Sequence, residues 1–221
     1  MADQIGLNIQ KKLKGKSLFL TGGSGFVGKV LLEKLLRSTE CARIFVLIRA
    51  SKDKTPLQRM QQEVLSSQCF DNLRRSRPDF EAMAADRVVG VAGDLVKPNL
   101  GLSDVDRQRI ADEATIFIHC AASVEFNLPL FNALQQNVTG TMRVFEFAQQ
   151  ARRLELFLHV STAYVNCNNP SGRILEKVYP QSFQPLELVT SLLEMPEEKV
   201  NELQVRWGLH VVVCPCLLMA V

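Results

Sequence analysis

The sequence predicts an α/β fold, a doubly wound parallel sheet of about six strands with helices on both faces, and three observations carry that reading. Short β-rich runs alternate with longer stretches of helical spacing. Most of these runs are continuously apolar rather than alternating, as strands covered on both faces are. The first run ends in the glycine-rich turn Thr21-Gly22-Gly23-Ser24-Gly25-Phe26-Val27-Gly28, which opens an amphipathic helix. The 221 residues suffice for one well-filled domain. Its core is expected over residues 10–165, a substrate-side loop and helix over 166–206, and a last strand over 207–221.

Strands are expected at Ser17–Thr21, Arg43–Arg49, Arg87–Val91, Thr115–Cys120, Leu156–Ser161 and Leu209–Cys214. Helical spacing marks Gly28–Arg37, Asp104–Glu113 and Leu128–Ala151. Such alternation winds right-handed. The charged, Gln-rich stretch Ser51–Asp86 reads as a helix plus a loop inserted after the second strand. Asn166–Pro185, with Pro170, Gly172, Pro180 and Pro185, reads as a loop.

Composition excludes several classes of function. Apolar residues make up 47% and charged residues 22%, and the net charge of +3 is too small to argue for nucleic acid. The cluster Lys11, Lys12, Lys14 and Lys16 reads as a solvated edge. Six cysteines stand without zinc-finger spacing, so no metal is expected. The first residues lack the apolar core of a signal peptide, and the expected location is an intracellular, reducing compartment. No apolar run reaches the roughly 18 residues of a bilayer span. The apolar tail from Leu209 to Val221 is short and interrupted by Pro215.

The glycine turn has a physical logic. Gly22 permits a tight turn, Gly25 lets backbone approach a pyrophosphate, and Gly28 lets the helix pack against the strand. The helix N-terminus then offers free N–H groups to phosphates. This context is that of a Rossmann-like dinucleotide site, expected to involve Thr21, Gly22, Gly23, Ser24, Gly25, Phe26, Val27 and Gly28. The second strand ends in Arg49, followed by Ser51 and Lys52. A binder of NAD usually places a carboxylate there for the ribose 2′-OH. The cations Arg49 and Lys52 fit a 2′-phosphate instead, which favours NADP.

Further motifs follow each strand: Gly93-Asp94-Leu95, His119-Cys120-Ala121-Ala122, and Asn137-Val138-x-Gly140-Thr141. Together with T-G-x-x-G-x-x-G they resemble an extended short-chain dehydrogenase/reductase. The finer wording of T-G-G-S-G-F-V-G-K-V-L-L-E-K-L-L-R, V-L-I-R, F-I-H-C-A-A-S-V-E-F, H-V-S-T-A-Y-V-N and E-K-V-Y-P resembles the fatty acyl-CoA reductases over roughly residues 10–195. The thioester-reductase domain of carboxylic acid reductases is a second relative.

The resemblance implies that Asp94 accepts from the adenine amino group and Leu95 packs on its ring. Ala121 and Ala122 pass beneath the cofactor, and Asn137 helps hold a proton-relay water. Ser161 or Thr162, with Thr162 favoured, hydrogen-bonds the reacting carbonyl. It further implies an NADPH cofactor and a long-chain acyl-CoA substrate. Hydride addition to the thioester gives a hemithioacetal that loses CoA to leave an aldehyde, and a second hydride gives the alcohol. The resemblance allows a peripheral membrane association, and any such association would rest on that analogy alone.

Such chemistry needs a hydroxyl donor and a nearby cation, which the resembled family supplies as Tyr-x-x-x-Lys. The chain has two tyrosines. Asn168 stands four residues after Tyr164, and Phe183 four after Tyr179. The expectation is therefore a chain without that helix, and without the family's C-terminal domain. It should bind NADPH weakly or not at all, reduce acyl-CoA poorly, and leave one face of the sheet short of cover. Two other readings fit the motifs. One is a non-catalytic Rossmann module binding a nucleotide or a partner. The other is an extended reductase of sterol or sugar-nucleotide substrates.

Overall fold

The computed structural model describes residues 8–51, 53–125, 127–162, 169, 172–177, 179 and 184–206. A short helix α1 (Ile9–Leu13) precedes β1 (Ser17–Thr21), α2 (Phe26–Ser38) and β2 (Arg43–Ile48). Three helices follow, α3 (Pro56–Arg59), α4 (Asp71–Ser76) and α5 (Phe80–Arg87), and lead to β3 (Val88–Ala92). The second half runs α6 (Asp104–Glu113), β4 (Ala114–His119), α7 (Leu130–Ala133), α8 (Gly140–Gln149) and β5 (Leu156–His159). Two helices, α9 (Pro185–Leu193) and α10 (Glu197–Arg206), complete the described elements.

The five strands are all parallel, in the order β3-β2-β1-β4-β5. The order reverses beside β1, so a crevice opens at the carboxyl ends of β1 and β4, where open α/β sheets bind ligands. Continuous apolar strands have two faces to bury. Leu18, Leu20, Ile44, Val46 and Ile116 pack with Leu32 and Leu36 of α2 on one side. Phe19, Phe45 and Phe117 pack with Val144 and Phe147 of α8 on the other. There Phe19, Phe117 and Phe147 meet at tilted or edge-on angles with centroids 5.4 to 5.7 Å apart, geometry that aromatic quadrupoles favour.

Helix α2 forms because Gly28, Leu32, Leu35 and Leu36 share a buried face. It stops where Thr39 turns back, its N–H and hydroxyl both donating to the Leu35 carbonyl. The Ser51–Asp86 insert is more ordered than its composition implies. A capping box between Thr55 and Gln58 starts α3 with Pro56 in its first turn. The chain continues through a π-helical segment, Met60–Leu65, into α4 and α5. Met60, Val64, Phe70, Leu73 and Phe80 are thereby buried against the sheet. Sparse apolar positions among charges had hidden this cover.

Strand limits move by one or two residues. β2 stops at Ile48 rather than Arg49, β3 begins after Arg87, which closes α5, and β5 stops at His159 before Ser161. Arg87 is drawn away from the strand because its guanidinium donates to the carbonyls of Leu36, Thr39 and Cys41. The helix expected over Leu128–Ala151 is α7 and α8 joined by a π-helical segment, Leu134–Thr139. At the β5 edge, Leu156, Leu158 and Val160 are 48%, 42% and 37% exposed, so one face there lacks cover among the described residues. The expected strand Leu209–Cys214 lies outside the described residues. No helix among them is long and apolar enough to cross a membrane.

Candidate cofactor and active site

A cleft of about 550 Å³ opens at the carboxyl ends of the central strands. Gly22, Ser24, Gly25, Arg49, Asp94, Leu95, Ala121 and Ala122 all line it. Eight of the expected site residues, drawn from four loops, thus converge. Gly22 adopts φ +75°, and a Cβ there would lie 2.7 Å from the backbone of Cys120 and Ala121. The tight turn and the close approach of the 120–122 loop both require glycine. The Gly25 N–H donates to the Gly22 carbonyl, and Gly25 serves as the N-cap of α2 without a side-chain cap. The N-terminus of α2 thus starts beside the cleft, at Gly25, with no side-chain cap on its first N–H groups.

Other expected cofactor residues play different parts. Thr21, Gly23 and Gly28 stand behind the turn. A Cβ on Gly23 would collide with Val46, and one on Gly28 with the backbone of Gly22 and Gly23. Phe26 and Val27 are 85% and 52% exposed and do not line the cleft, so any contribution is through their backbone. The first turn of α2 directs their side chains away from the crevice. Lys52 and Tyr164 lie outside the described residues.

Asp94 and Leu95 are set by an unusual loop. Asn99 and Leu100 both have positive φ, 51° and 58°, with Gly101 at 60°. This left-handed turn brings the Leu100 carbonyl to accept from the Asp94 N–H at 2.7 Å, while the Leu100 side chain is fully buried. Burial holds a leucine in a conformation it rarely adopts. A Cβ on Gly140 would stand 3.2 Å from the Leu95 Cβ, so Gly140 lets α8 seat Leu95 closely.

Several residues that line or brace the cleft are not among those expected. Arg59 reaches it from α3, where its guanidinium donates to the Arg49 carbonyl at 2.6 Å and to Glu63 at 2.9 Å. Two arginines thus stand at the end of β2. The capping box at Thr55 was the available signal, since it starts a helix that returns Arg59 to the strand end. Ser123, Glu125 and Gln136 also line the cleft.

Asn137 is buried at the π-helical segment, a form common at functional sites. Its carbonyl oxygen Oδ1 accepts from the Ser123 N–H at 2.7 Å, and its Nδ2 donates to the Ser123 carbonyl at 3.0 Å. Asn137 therefore clamps the 121–123 loop. Behind it, His119 is fully buried between Thr21 and Thr141, with contacts of 2.6 and 2.8 Å. Burial first, and then the nearby His159, push the His119 pKa down to about 3.

Ser161 and Thr162 follow β5, the first exposed and the second half-buried, and neither belongs to the described lining of the cleft. The Tyr179 hydroxyl accepts from the Leu175 N–H, and the Lys177 ammonium lies 4.9 Å from the Tyr179 ring centroid. Neither residue is in that lining either.

Residues 20–205 match the NAD-binding family described as male sterility protein. The chain belongs to this family. Relatives of the male sterility family include Fatty acyl-CoA reductase 1 of Homo sapiens, 42% identical over 198 residues. That alignment covers 89% of this chain and 37% of the relative. Fatty acyl-CoA reductase 2 of Homo sapiens is 35% identical over 190 residues, covering 86% of this chain and 36% of the relative. The chain thus spans little more than a third of the length of these relatives. Among solved structures, the terminal R domain from the myxalamid PKS-NRPS biosynthetic pathway superposes with a TM-score of 0.60 at 29% identity. It covers 88% of this chain and 46% of that one. A reductase domain of a nonribosomal peptide synthetase from Mycobacterium tuberculosis gives a TM-score of 0.53 at 31% identity, over 69% and 34% of the two chains. The glycine cradle that a single Cβ would fill, beside a helix N-terminus without a side-chain cap, is chemically suited to the nicotinamide dinucleotide of this male sterility, fatty acyl-CoA reductase family.

Proposed function

We propose that this chain carries the NADPH-binding half of a fatty acyl-CoA reductase site. The observation that carries the reading is the pair Arg49 and Arg59 at the end of β2, opening on the same cleft as Gly22 and Gly25. Two guanidiniums at that strand end suit a 2′-phosphate. Glu63 neutralises part of the Arg59 charge but also holds its fork in place. The turn at Gly22–Gly25 and the α2 N-terminus would receive the pyrophosphate, Asp94 and Leu95 the adenine, and the small Ala121 and Ala122 the ring system beyond. When bound, the cofactor supplies hydride to a thioester carbonyl, by analogy with what the relatives' names state. The reacting oxygen would meet Ser161 or Thr162 at the carboxyl end of β5. Asn137 keeps one N–H and one lone pair beyond its Ser123 contacts, enough to orient a water.

Neither tyrosine of the 221 residues has a lysine four positions on. The 221-residue polypeptide by itself is therefore expected to turn over slowly and to bind weakly but selectively. Titration by protein fluorescence tests the selectivity. NADPH is expected to bind about tenfold or more tightly than NADH. Arg49→Ala and Arg59→Ala should each weaken NADPH by about tenfold or more and leave NADH nearly unchanged, the scale of a charge-assisted hydrogen bond. Equal affinity for the two nucleotides would overturn the NADPH assignment. Turnover of NADPH with a long-chain acyl-CoA is expected to fall far below the usual enzyme range of about 1–10³ per second. A rate within that range would overturn the impairment.

A further inference from the structure

A chain of hydrogen bonds runs behind the cleft from β1 to α8, and it admits one arrangement of protons. The Thr141 hydroxyl oxygen lies 2.7 Å from the Asn137 main-chain carbonyl, which can only accept, so the hydroxyl proton is spent there. Thr141 must then accept from His119 Nε2, 2.8 Å away, and Nε2 carries a proton. A neutral imidazole has a single N–H, so Nδ1 is bare and accepts from the Thr21 hydroxyl at 2.6 Å. Thr21, with its proton given away, accepts from the Ala121 N–H at 3.3 Å. Every donor has one acceptor, and no proton is left over.

The two ends of this chain meet the same loop. Thr21 holds it at Ala121, and Asn137 holds it at both the N–H and the carbonyl of Ser123. Ala121 and Ser123 line the cleft. Toward β5 the His119 ring is stacked on His159, with centroids 5.2 Å apart and planes 24° from parallel. The nitrogens of His159 are buried and have no hydrogen-bond partner among the described residues, so it offers His119 a flat, undemanding surface.

We propose that Thr21, His119, Thr141 and Asn137 form a proton-ordered strut, in which His119 is the positioning residue that holds the 121–123 loop against the glycine turn. The inference rests on the nicotinamide reading of the cleft. A protonated ring would need Nδ1 to donate to Thr21, whose own proton would then lose its acceptor. The depressed pKa of His119 is consistent with a ring that stays neutral. His159 is the titratable group acting on it, and burial lowers its pKa as well.

The test uses the full 221-residue chain with ¹⁵N-labelled histidine. His119 is expected to show the neutral Nε2–H tautomer, unchanged from about pH 8 to pH 5. Thr141→Val removes the middle acceptor and should weaken NADPH about tenfold, whereas Thr141→Ser, which keeps the hydroxyl, should stay within about twofold of the parent. A proton on Nδ1, titration near the ordinary histidine value, full NADPH affinity in Thr141→Val, or no rescue by Thr141→Ser would each overturn the strut. If Thr141→Val does not fold, the tautomer and the serine variant decide. Failure is separable from that of the cofactor reading, because a parent chain binding neither NADPH nor NADH would overturn the latter directly.

Discussion

Gly28→Ala is expected to unfold the glycine turn and abolish nucleotide binding. A helix-interior glycine ordinarily costs about 1 kcal/mol relative to alanine, so propensity alone would make the change stabilising. Packing opposes it. The new Cβ would overlap the Gly22 carbonyl oxygen and lie 2.7 Å from the Gly22 carbonyl carbon and 2.8 Å from the Gly23 Cα. These are backbone atoms of a turn already committed to a positive φ at Gly22, with no flexible side chain to yield. Relief requires α2 to move off β1, and overpacking of this kind costs about 1–3 kcal/mol even where side chains can give. The clash therefore outweighs the propensity gain, and the urea midpoint should fall. Gly25→Ala is the informative contrast, since its Cβ would meet only the Gly22 carbonyl oxygen at 3.3 Å. That variant should fold and lose nucleotide affinity alone. An unchanged midpoint and intact binding in Gly28→Ala would refute the packing argument.

Stability should fall as pH drops through the ordinary histidine range. In the unfolded chain His119 takes a proton near the ordinary histidine value of 6.5, whereas in the fold it stays neutral to about 3. The unfolded state therefore binds more protons between these values. Its stabilising contribution is complete above pH 6.5 and is lost progressively below it. From about pH 7.5 to pH 5 the loss from His119 is about 2 kcal/mol, and His159, shifted the same way, adds to it. Carboxylates held low by arginine, such as Glu63 and Glu113, lose their contribution only below the ordinary glutamate value of 4.5. The window above pH 5 thus belongs to histidine. Urea midpoints at the two pH values measure the effect, and equal stability would show that these rings are not buried neutral.

Much of the cleft was legible because its parts are short-range. Gly22 and Gly25 sit in a turn whose chemistry is visible in a few consecutive residues, and Asp94, Ala121 and Ala122 belong to short motifs that carry the family resemblance. Arg59 was less so, since a ten-residue excursion separates it from Arg49, and its place depends on a cap and a π-helical segment. His119 and Thr141 were harder still. Each is unremarkable in its own motif, and they acquire meaning only when Thr21 pairs with His119 across β1 and β4 and α8 lies over both.

The sequence by itself determined the alternation of strands and helices, the apolar character of strands buried on both faces, and the glycine turn at the first crossover. These are properties of local chain stiffness, periodicity and the absence of a Cβ. Tertiary structure alone decided which residues share the cleft, that Phe26 and Val27 turn away from it, and that Asn137 clamps Ser123. It also decided the tautomer of His119, because a proton is placed by partners that the fold brings together from positions 98 residues apart in one direction and 22 in the other.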